Sequence, residues 1–490
     1  MSRSRSGCLT CKRRHRKCDE TKPECLQCLG QGMKCAGYNV VLRWDAGIAS
    51  RRRYITGAPE PSETLHIEHI EPTETTRPMR RTSREPSSEV VSSVELAIPP
   101  ERDFRGKKGV PQKPIPVTSL QPPMSSLEGF SWAGWTEQDR DLYERFDQST
   151  IFLLYSTHRD DWFRTNLRHL ASDSEALCSI LIATHLYVSS PDNPSSLFEE
   201  YYVRGLQLFR KQLENHDGSI NVGVMYAGLF ICTLNLFQGT PWSVHLELIM
   251  TVYGLGGNLH ASAVLDNPET HFPLELMAVM DIPTFVRGRS TMTLCLWQRL
   301  RQGKRANNTE QDDGIEGVTS LPRSLLDIFS SIQNEASESA FISWPGEVGE
   351  IPQIHLWEAY RFAGILTGRR LRKDPCLSSL ALSTEVIVGR LVAAIDALCD
   401  TRNRPEYSHL LTSNSLLYPY VAARLEVAIL RRRPSWMESL RRACGICQPY
   451  GKTANADNIA RMLDEAWEVG DDDYDIDEQA KRRNAEIALF

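Results

Sequence analysis

No uninterrupted apolar run of 18 residues occurs in this 490-residue chain, which argues against a membrane-spanning helix and a membrane partner. The most apolar stretch, Val222 to Phe237, is short and carries Thr233 and Asn235, so it is expected as a buried helix. The first residues are rich in Ser and Arg and have no apolar core of the kind a secretory signal needs. A reducing compartment is therefore expected, in which clustered cysteines signify metal binding or reactivity in place of disulfides. Enzyme signatures are also missing. Gly254-Leu255-Gly256-Gly257 has no strand before it and lacks the last glycine of a dinucleotide fingerprint. There is no P-loop, zincin or nucleophile-elbow motif, and the 12 histidines are scattered, so the chain is read as not an enzyme.

What is present is a strict cysteine rhythm at the start: Cys8-x₂-Cys11-x₆-Cys18-x₆-Cys25-x₂-Cys28-x₆-Cys35. Closely spaced thiols suit a thiophilic metal, and Zn²⁺ takes four thiolates tetrahedrally. Six are too many for one zinc and too few for two separate four-thiolate sites. Two Zn²⁺ need eight ligand bonds, so two of the six sulfurs must bridge. Lys12, Arg13, Arg14, His15, Arg16 and Lys17 fill the gap between two of these ligands. Residues 1–53 hold 13 Lys and Arg against 4 Asp and Glu, a formal +9, which leaves −15 on the rest of a chain whose net charge is −6. A basic head on an acidic body points to a polyanion contacted by the head alone.

The stretch CLTCKRRHRKCDETKPECLQCLGQGMKC closely resembles the Zn₂Cys₆ binuclear-cluster DNA-binding domain of fungal transcription factors. The resemblance implies that the first and fourth cysteines bridge. One zinc would then take Cys8, Cys11, Cys18 and Cys25, and the other Cys8, Cys25, Cys28 and Cys35, with Pro23 matching the proline of the middle loop. It also implies a short helix after each Cys-x₂-Cys pair, the first of which enters the major groove of double-stranded DNA and reads CGG triplets. His15 stands where the family commonly has a base-reading Lys, which makes Arg14 the best alternative reader of guanine. Lys12, Arg13, Arg16 and Lys17 are expected on phosphates, which position without specifying.

The expected architecture is a Zn₂Cys₆ head at 1–45, a disordered Pro/Ser/Glu-rich linker at 46–130, an all-α regulatory domain at 131–475 and a C-terminal tail at 476–490. Residues 54–130 contain 12 of the 27 prolines, too little apolar material to offset ordering entropy, and no surviving heptad pattern. Whether the chain forms a homodimer is left open by that missing coiled coil. Arg51-Arg52-Arg53 reads equally as a phosphate contact, a nuclear import signal or a solvated turn, and Arg80-Arg81-Thr82-Ser83 looks like a basophilic kinase site.

Beyond Ser131, helical periodicity dominates. Phe198, Tyr202, Leu206, Phe209 and Leu213 line one face of an amphipathic helix that Ser196 and Glu199 are expected to cap. Gly239 is expected to end the apolar helix, with Thr240 and Pro241 opening the next one. Further stripes run through Ile387, Leu391, Ile395 and Leu398, and across Leu416–Leu430. The segment YAGLFICTLNLFQGTPWSVHLELIMTVYGL resembles the fungal-specific regulatory region that follows such clusters, with Trp242 and His245 at its W-x₂-H positions. That resemblance implies a helical array over roughly 135–475. Trp242 and His245 themselves read best as a core Trp with a hydrogen-bonded His, and Cys444 and Cys447 as structural cysteines. The run Asp464 to Glu478 holds nine acidic residues among apolar ones, a mixture that suits either an activation segment or a closing helix.

These readings lead to a nuclear, zinc-dependent, sequence-specific regulator of RNA polymerase II transcription, working with the transcription machinery or co-regulators. The competing reading is an effector-binding or protein-interaction scaffold whose head has only weak DNA affinity.

Overall fold

A computed structural model describes residues 10–11, 14, 16, 18–19, 21, 25–33, 35, 134–157, 162–214, 221–253, 255, 268–306, 314–372, 382–402, 404–447, 453–470 and 474–490. The expected linker, Arg51–Arg53 and Arg80–Ser83 lie outside the described residues.

In the head, Thr10 and Cys11 are helical, and the N–H of Arg14 donates to the Thr10 carbonyl at 3.1 Å. A second turn, α1 (Leu26–Leu29), follows Cys25. A helical turn is thus described in association with each Cys-x₂-Cys pair.

The body is helical: α2 (Glu137–Gln148), α3 (Trp162–Asp173), α4 (Glu175–Ser189), α5 (Ser196–Glu214), α6 (Val222–Phe237), α7 (Ser243–Val252), α8 (Pro268–Met280), α9 (Leu296–Ala306), α10 (Arg323–Ser330), α11 (Ser337–Ser343), α12 (Ile351–Arg372), α13 (Thr384–Arg402), α14 (Leu417–Arg424), α15 (Val427–Arg432), α16 (Pro434–Cys447), α17 (Ala454–Val469) and α18 (Ile476–Arg482). Among the described residues the only sheet is an antiparallel pair, β1 (Val286–Arg287) with β2 (Ile487–Ala488). None of the described helices is long and apolar enough to cross a membrane.

Two packing centres organise these helices. In the first, α4 lies against α2, α5 and α6; in the second, α12 and α13 pair and carry α14 and α16. Helix α6 is apolar nearly all round, and every residue in it except Thr233 is buried, as its composition predicts. The stripe Ile387, Leu391, Ile395 and Leu398 on α13 is likewise buried. At the start of α2 the caps are reciprocal: Thr136 Oγ1 accepts the Asp139 N–H at 3.1 Å, and the Asp139 carboxylate accepts the Thr136 N–H at 2.7 Å. Hydrogen bonds from Tyr201 and Thr136 overcome burial there and hold the Asp139 carboxyl below its usual range. Asp147, also buried, receives both Arg164 and Arg168, at 2.7 and 2.5 Å.

Local expectations shift where tertiary contacts intervene. The buried side of α5 is Phe198, Tyr201, Gly205, Phe209 and Leu213, so the helix is turned relative to the Tyr202/Leu206 reading. Gly205 causes this, because an added Cβ would stand 2.5 Å from Ile180 Cδ1; the bare backbone lets α5 approach α4. Its cap is Ser195 in place of Ser196, with Oγ accepting the Phe198 N–H at 3.2 Å. The Leu416–Leu430 stripe is two helices, α14 and α15. At their junction Arg370 donates to the Leu425 carbonyl at 2.6 Å and to Glu426 at 3.0 Å.

Thr240 and Pro241 do not open α7. Gly239 does leave the helical region, at φ +64°, but Thr240 bonds back to the Asn235 carbonyl at 3.0 Å. Helix α7 starts at Ser243, and its cap comes from far away in sequence. The buried Glu486 carboxylate accepts the N–H groups of Trp242 at 2.6 Å and Ser243 at 2.8 Å, and that of Ser290 at 3.1 Å.

The segment expected as a tail, 476–490, is ordered structure whose end, Ala485 to Leu489, is buried. Strand β2 pairs with β1, Leu489 N–H donates to Phe285 O at 2.9 Å, and Asn455 bonds the Ala488 carbonyl at 3.1 Å. Gly288 makes the turn beside this clasp. It has φ +70°, and a Cβ there would lie 2.2 Å from the Ala485 carbonyl oxygen. Gly288→Ala is thus expected to destabilise the body by about 2–4 kcal/mol, combining left-handed strain with overpacking against backbone. Denaturant unfolding of the full chain measures it, and a change within the error of the wild type would contradict this account.

Candidate metal centre and nucleic-acid interface

Five of the six head cysteines are described: Cys11, Cys18, Cys25, Cys28 and Cys35; all are buried and none is in a disulfide. Their sulfurs fall into two groups, Cys11/Cys18/Cys25 and Cys25/Cys28/Cys35, each with ligand atoms within 4.8 Å of one another. Cys25 belongs to both. Cys8 lies outside the described residues, as do Lys12, Arg13, His15 and Lys17.

The donor set fits zinc. A tetrahedral site with Zn–S bonds of about 2.3 Å has sulfur–sulfur edges of about 3.8 Å. Cys11 Sγ lies 3.7 Å from Cys25 Sγ, a spacing suited to two thiolates on one metal, and 3.8 Å from Cys28 Sγ of the other group. Cys25 Sγ also accepts the Cys28 N–H at 3.3 Å, which orients the sulfur and favours its anionic form.

The loop between the two halves is held by a residue that sequence reading passed over. Asp19 accepts the Thr21 hydroxyl at 2.5 Å and the N–H groups of Leu26 at 3.0 Å and Gln27 at 2.9 Å. It thereby satisfies the free N–H groups that open α1 from the other side of the loop. The Thr21 hydroxyl, then the Gln27 and Leu26 N–H groups, hold the Asp19 carboxyl well below its usual range. The only signal in the sequence was an acidic residue directly after a cysteine ligand.

Arg14 and Arg16 are exposed. The Arg14 guanidinium is engaged within the head: Nη1 donates to Gln31 Oε1 at 2.7 Å and lies 2.9 Å from Met33 Sδ. The candidate base reader thus links the two Cys-x₂-Cys halves in the absence of a nucleic acid.

In the body, Trp242 is fully buried and meets the Phe490 ring edge-on at 6.2 Å. Its indole N–H finds no acceptor among the described residues. His245 is half-buried, with its basicity lowered by desolvation. The hydrogen bond expected for its imidazole is not among those formed by the described residues, so the pair is a packing element without that bond. Cys444 is half-buried on α16, and the Cys447 side chain lies outside the described residues. Among the described acidic residues of 464–478, Glu465, Asp475 and Asp477 are committed to the fold, and Asp471–Asp473 lie outside the described residues. Glu465 holds Arg483 and Tyr474, Asp475 caps α18, and Asp477 accepts the Gly288 N–H at 2.8 Å.

With two sulfur groups sharing one cysteine beside a basic helical turn, the head is a binuclear zinc-cluster domain. Residues 6–45 match the fungal Zn(2)-Cys(6) binuclear cluster domain, and residues 146–343 the fungal specific transcription factor domain. In both segments the chain is similar to fungal Zn₂Cys₆ transcription factors.

Among curated relatives, transcriptional regulatory protein moc3 of Schizosaccharomyces pombe is 58% identical over 36 residues, 7% of each chain. The aspercryptin biosynthesis cluster-specific transcription regulator atnN of Emericella nidulans is 56% identical over 38 residues, 8% of this chain and 6% of the relative. Pestheic acid cluster transcriptional regulator 3 of Pestalotiopsis fici is 46% identical over 50 residues, 10% of this chain and 9% of that one. Each match thus covers less than a tenth of the relative's length. No solved structure matches the chain.

Proposed function

We propose that this chain is a nuclear, zinc-dependent, sequence-specific DNA-binding regulator of RNA polymerase II transcription that reads CGG-like triplets in the major groove. The observation that carries the reading is the sharing of Cys25 between two buried sulfur groups next to the basic gap. In this reading Cys11, Cys18 and Cys25 hold one zinc and Cys25, Cys28 and Cys35 the other, with Cys8 as the second bridge. The zinc ions, when bound, supply structure only: they pin both ends of the Lys12–Lys17 segment, so its charges are presented as a rigid surface. Lys12, Arg13, Arg16 and Lys17 meet phosphates, and His15 or Arg14 donates to guanine O6 and N7. For Arg14 this requires release from Gln31, so base reading and the link between the two halves compete for one guanidinium. Co-regulators, and a second copy of the chain where half-sites are paired, are the further partners of this reading.

Full-length, zinc-loaded protein is expected to bind a CGG-containing duplex in preference to a scrambled one. A head contacting five or so phosphates should lose roughly 10²- to 10³-fold in affinity between 50 and 200 mM salt. Fluorescence anisotropy at several salt concentrations reads both. Equal affinity for the two duplexes, or a flat salt profile, would sink the proposal. Selection of bound sequences from random DNA with the full chain then gives motif, half-site number and spacing together.

A further inference from the structure

Four arginines line a cavity of about 770 Å³ in the helical body, bounded by β1, the end of α12, α14 and the start of α18. Three of them are matched by carboxylates. Arg289 pairs with Asp281 at 2.6 Å, Arg369 with Glu338 at 2.6 Å and Arg370 with Glu426 at 3.0 Å. Arg287 differs. Among the described residues its guanidinium donates only to the carbonyl of its neighbour Val286, at 3.2 Å. Both residues of β1 line the cavity, Val286 buried and Arg287 only partly so.

The two acidic side chains on the cavity wall have other duties. Asp475 accepts the Asp477 and Glu478 N–H groups at 3.0 and 3.1 Å, and Asp477 pairs with Lys481 at 2.5 Å while accepting the Gly288 N–H. A guanidinium offers five N–H donors in a planar fork, and most of those on Arg287 meet no acceptor among the described residues, although the charges of Asp475 and Asp477 act on it from the wall. The rest of the wall is largely apolar, including Leu366, Val421, Leu425 and Ile476. The volume lies within the range of small-molecule sites, which combine apolar walls with a few placed polar groups.

We propose that this cavity binds a small organic carboxylate, its anionic end seated on Arg287 and its apolar body against α12 and α14. One free guanidinium matches one planar carboxylate in a two-bond fork. The remaining cationic charge is already neutralised by Asp281, Glu338 and Glu426, which disfavours a phosphate dianion. The apolar wall favours an organic acid over an inorganic anion. This site stands apart from the DNA reading, and its test involves no DNA.

The probe is 2-naphthoate, titrated calorimetrically into the full-length, zinc-loaded protein, with 2-naphthylmethanol as its uncharged counterpart. Saturable binding of the acid is expected, with the alcohol at least about tenfold weaker, the usual scale of a lost charge-assisted hydrogen bond. Arg287→Gln should weaken the acid by a similar factor and leave the alcohol unchanged, while Arg287→Lys should be intermediate. Leu371 lines the rim and is 51% exposed, so Leu371→Glu should fold normally and weaken the acid severalfold through charge repulsion. That variant decides the matter if Arg287→Gln fails to fold. No binding of the acid, equal binding of acid and alcohol, or an acid affinity unmoved by Leu371→Glu would each overturn the proposal.

Discussion

Cys25→Ser is expected to empty the head of both zincs and to abolish specific duplex binding, whereas Cys35→Ser should leave one metal site with its described sulfurs intact. Cys25 alone among the described cysteines belongs to both sulfur groups, while Cys35 belongs to one. Loss of a shared thiolate removes a ligand from two metals at once. Structural zinc contributes on the order of 10–16 kcal/mol to the folding of small metal domains, far more than a head of this size can gain from packing. Specific affinity should therefore fall on the order of 10³-fold or more, to the level of non-specific binding. Zinc per chain by plasma mass spectrometry and duplex affinity by anisotropy measure the two effects. The thermal transition of the helical body should be unmoved. Retention of a full zinc complement by Cys25→Ser would show that the shared sulfur is not a bridge.

Glu486→Ala should be the most damaging single substitution outside the head. Its carboxylate is fully buried and accepts three backbone N–H groups, from Trp242, Ser243 and Ser290. Removing it strands all three. Trp242 and Ser243 are buried and Ser290 is exposed; each buried donor left without a partner costs about 1–3 kcal/mol, so a loss of about 2–6 kcal/mol is expected. Much of the usual net stability of a domain lies in that range. Glu486→Gln should cost less, since one oxygen survives to serve Trp242 and Ser243 while an amide N–H is turned towards Ser290. Chemical denaturation of the full chain separates the cases. An alanine variant within about 0.5 kcal/mol of wild type would show that water or a rearranged neighbour replaces the carboxylate, contrary to this account.

These two residues mark the two ends of what could be read from the amino-acid order. The cysteine spacing announces a two-metal head because ligand chemistry is local: the sulfurs are few, close in the chain and restricted to one geometry. Helix α6 was equally legible, since a segment apolar on every side has nowhere to go but the interior. The rotation of α5 was not, because Gly205 reads locally as a weak helix former and its effect exists only where Ile180 of α4 arrives. Nor was the cap of α7. Thr240-Pro241 has the right local chemistry, but a carboxylate 244 residues from Trp242 provides the stronger acceptor.

The same distinction revises the acidic C-terminal region. By composition it suited an exposed activation segment as well as a closing helix. In the fold, Glu465, Asp475 and Asp477 serve Arg483, the α18 N-terminus and Gly288, and the residues after them close a strand against β1. Composition reports how acidic a segment is; it does not report which donors those acids meet.

By itself, then, the sequence determined the metal class, the pseudo-repeated head, the basic element beside it and the all-α character of the body. Each depends on spacing or periodicity within a few turns of chain. Only the tertiary structure decided that Arg14 spans the two halves of the head, that Glu486 caps α7 and that Arg287 faces a cavity with most of its donors unmatched among the described residues. These are properties of pairs of groups brought together from distant positions, and the free energy of such a pair exists only once the fold has formed it.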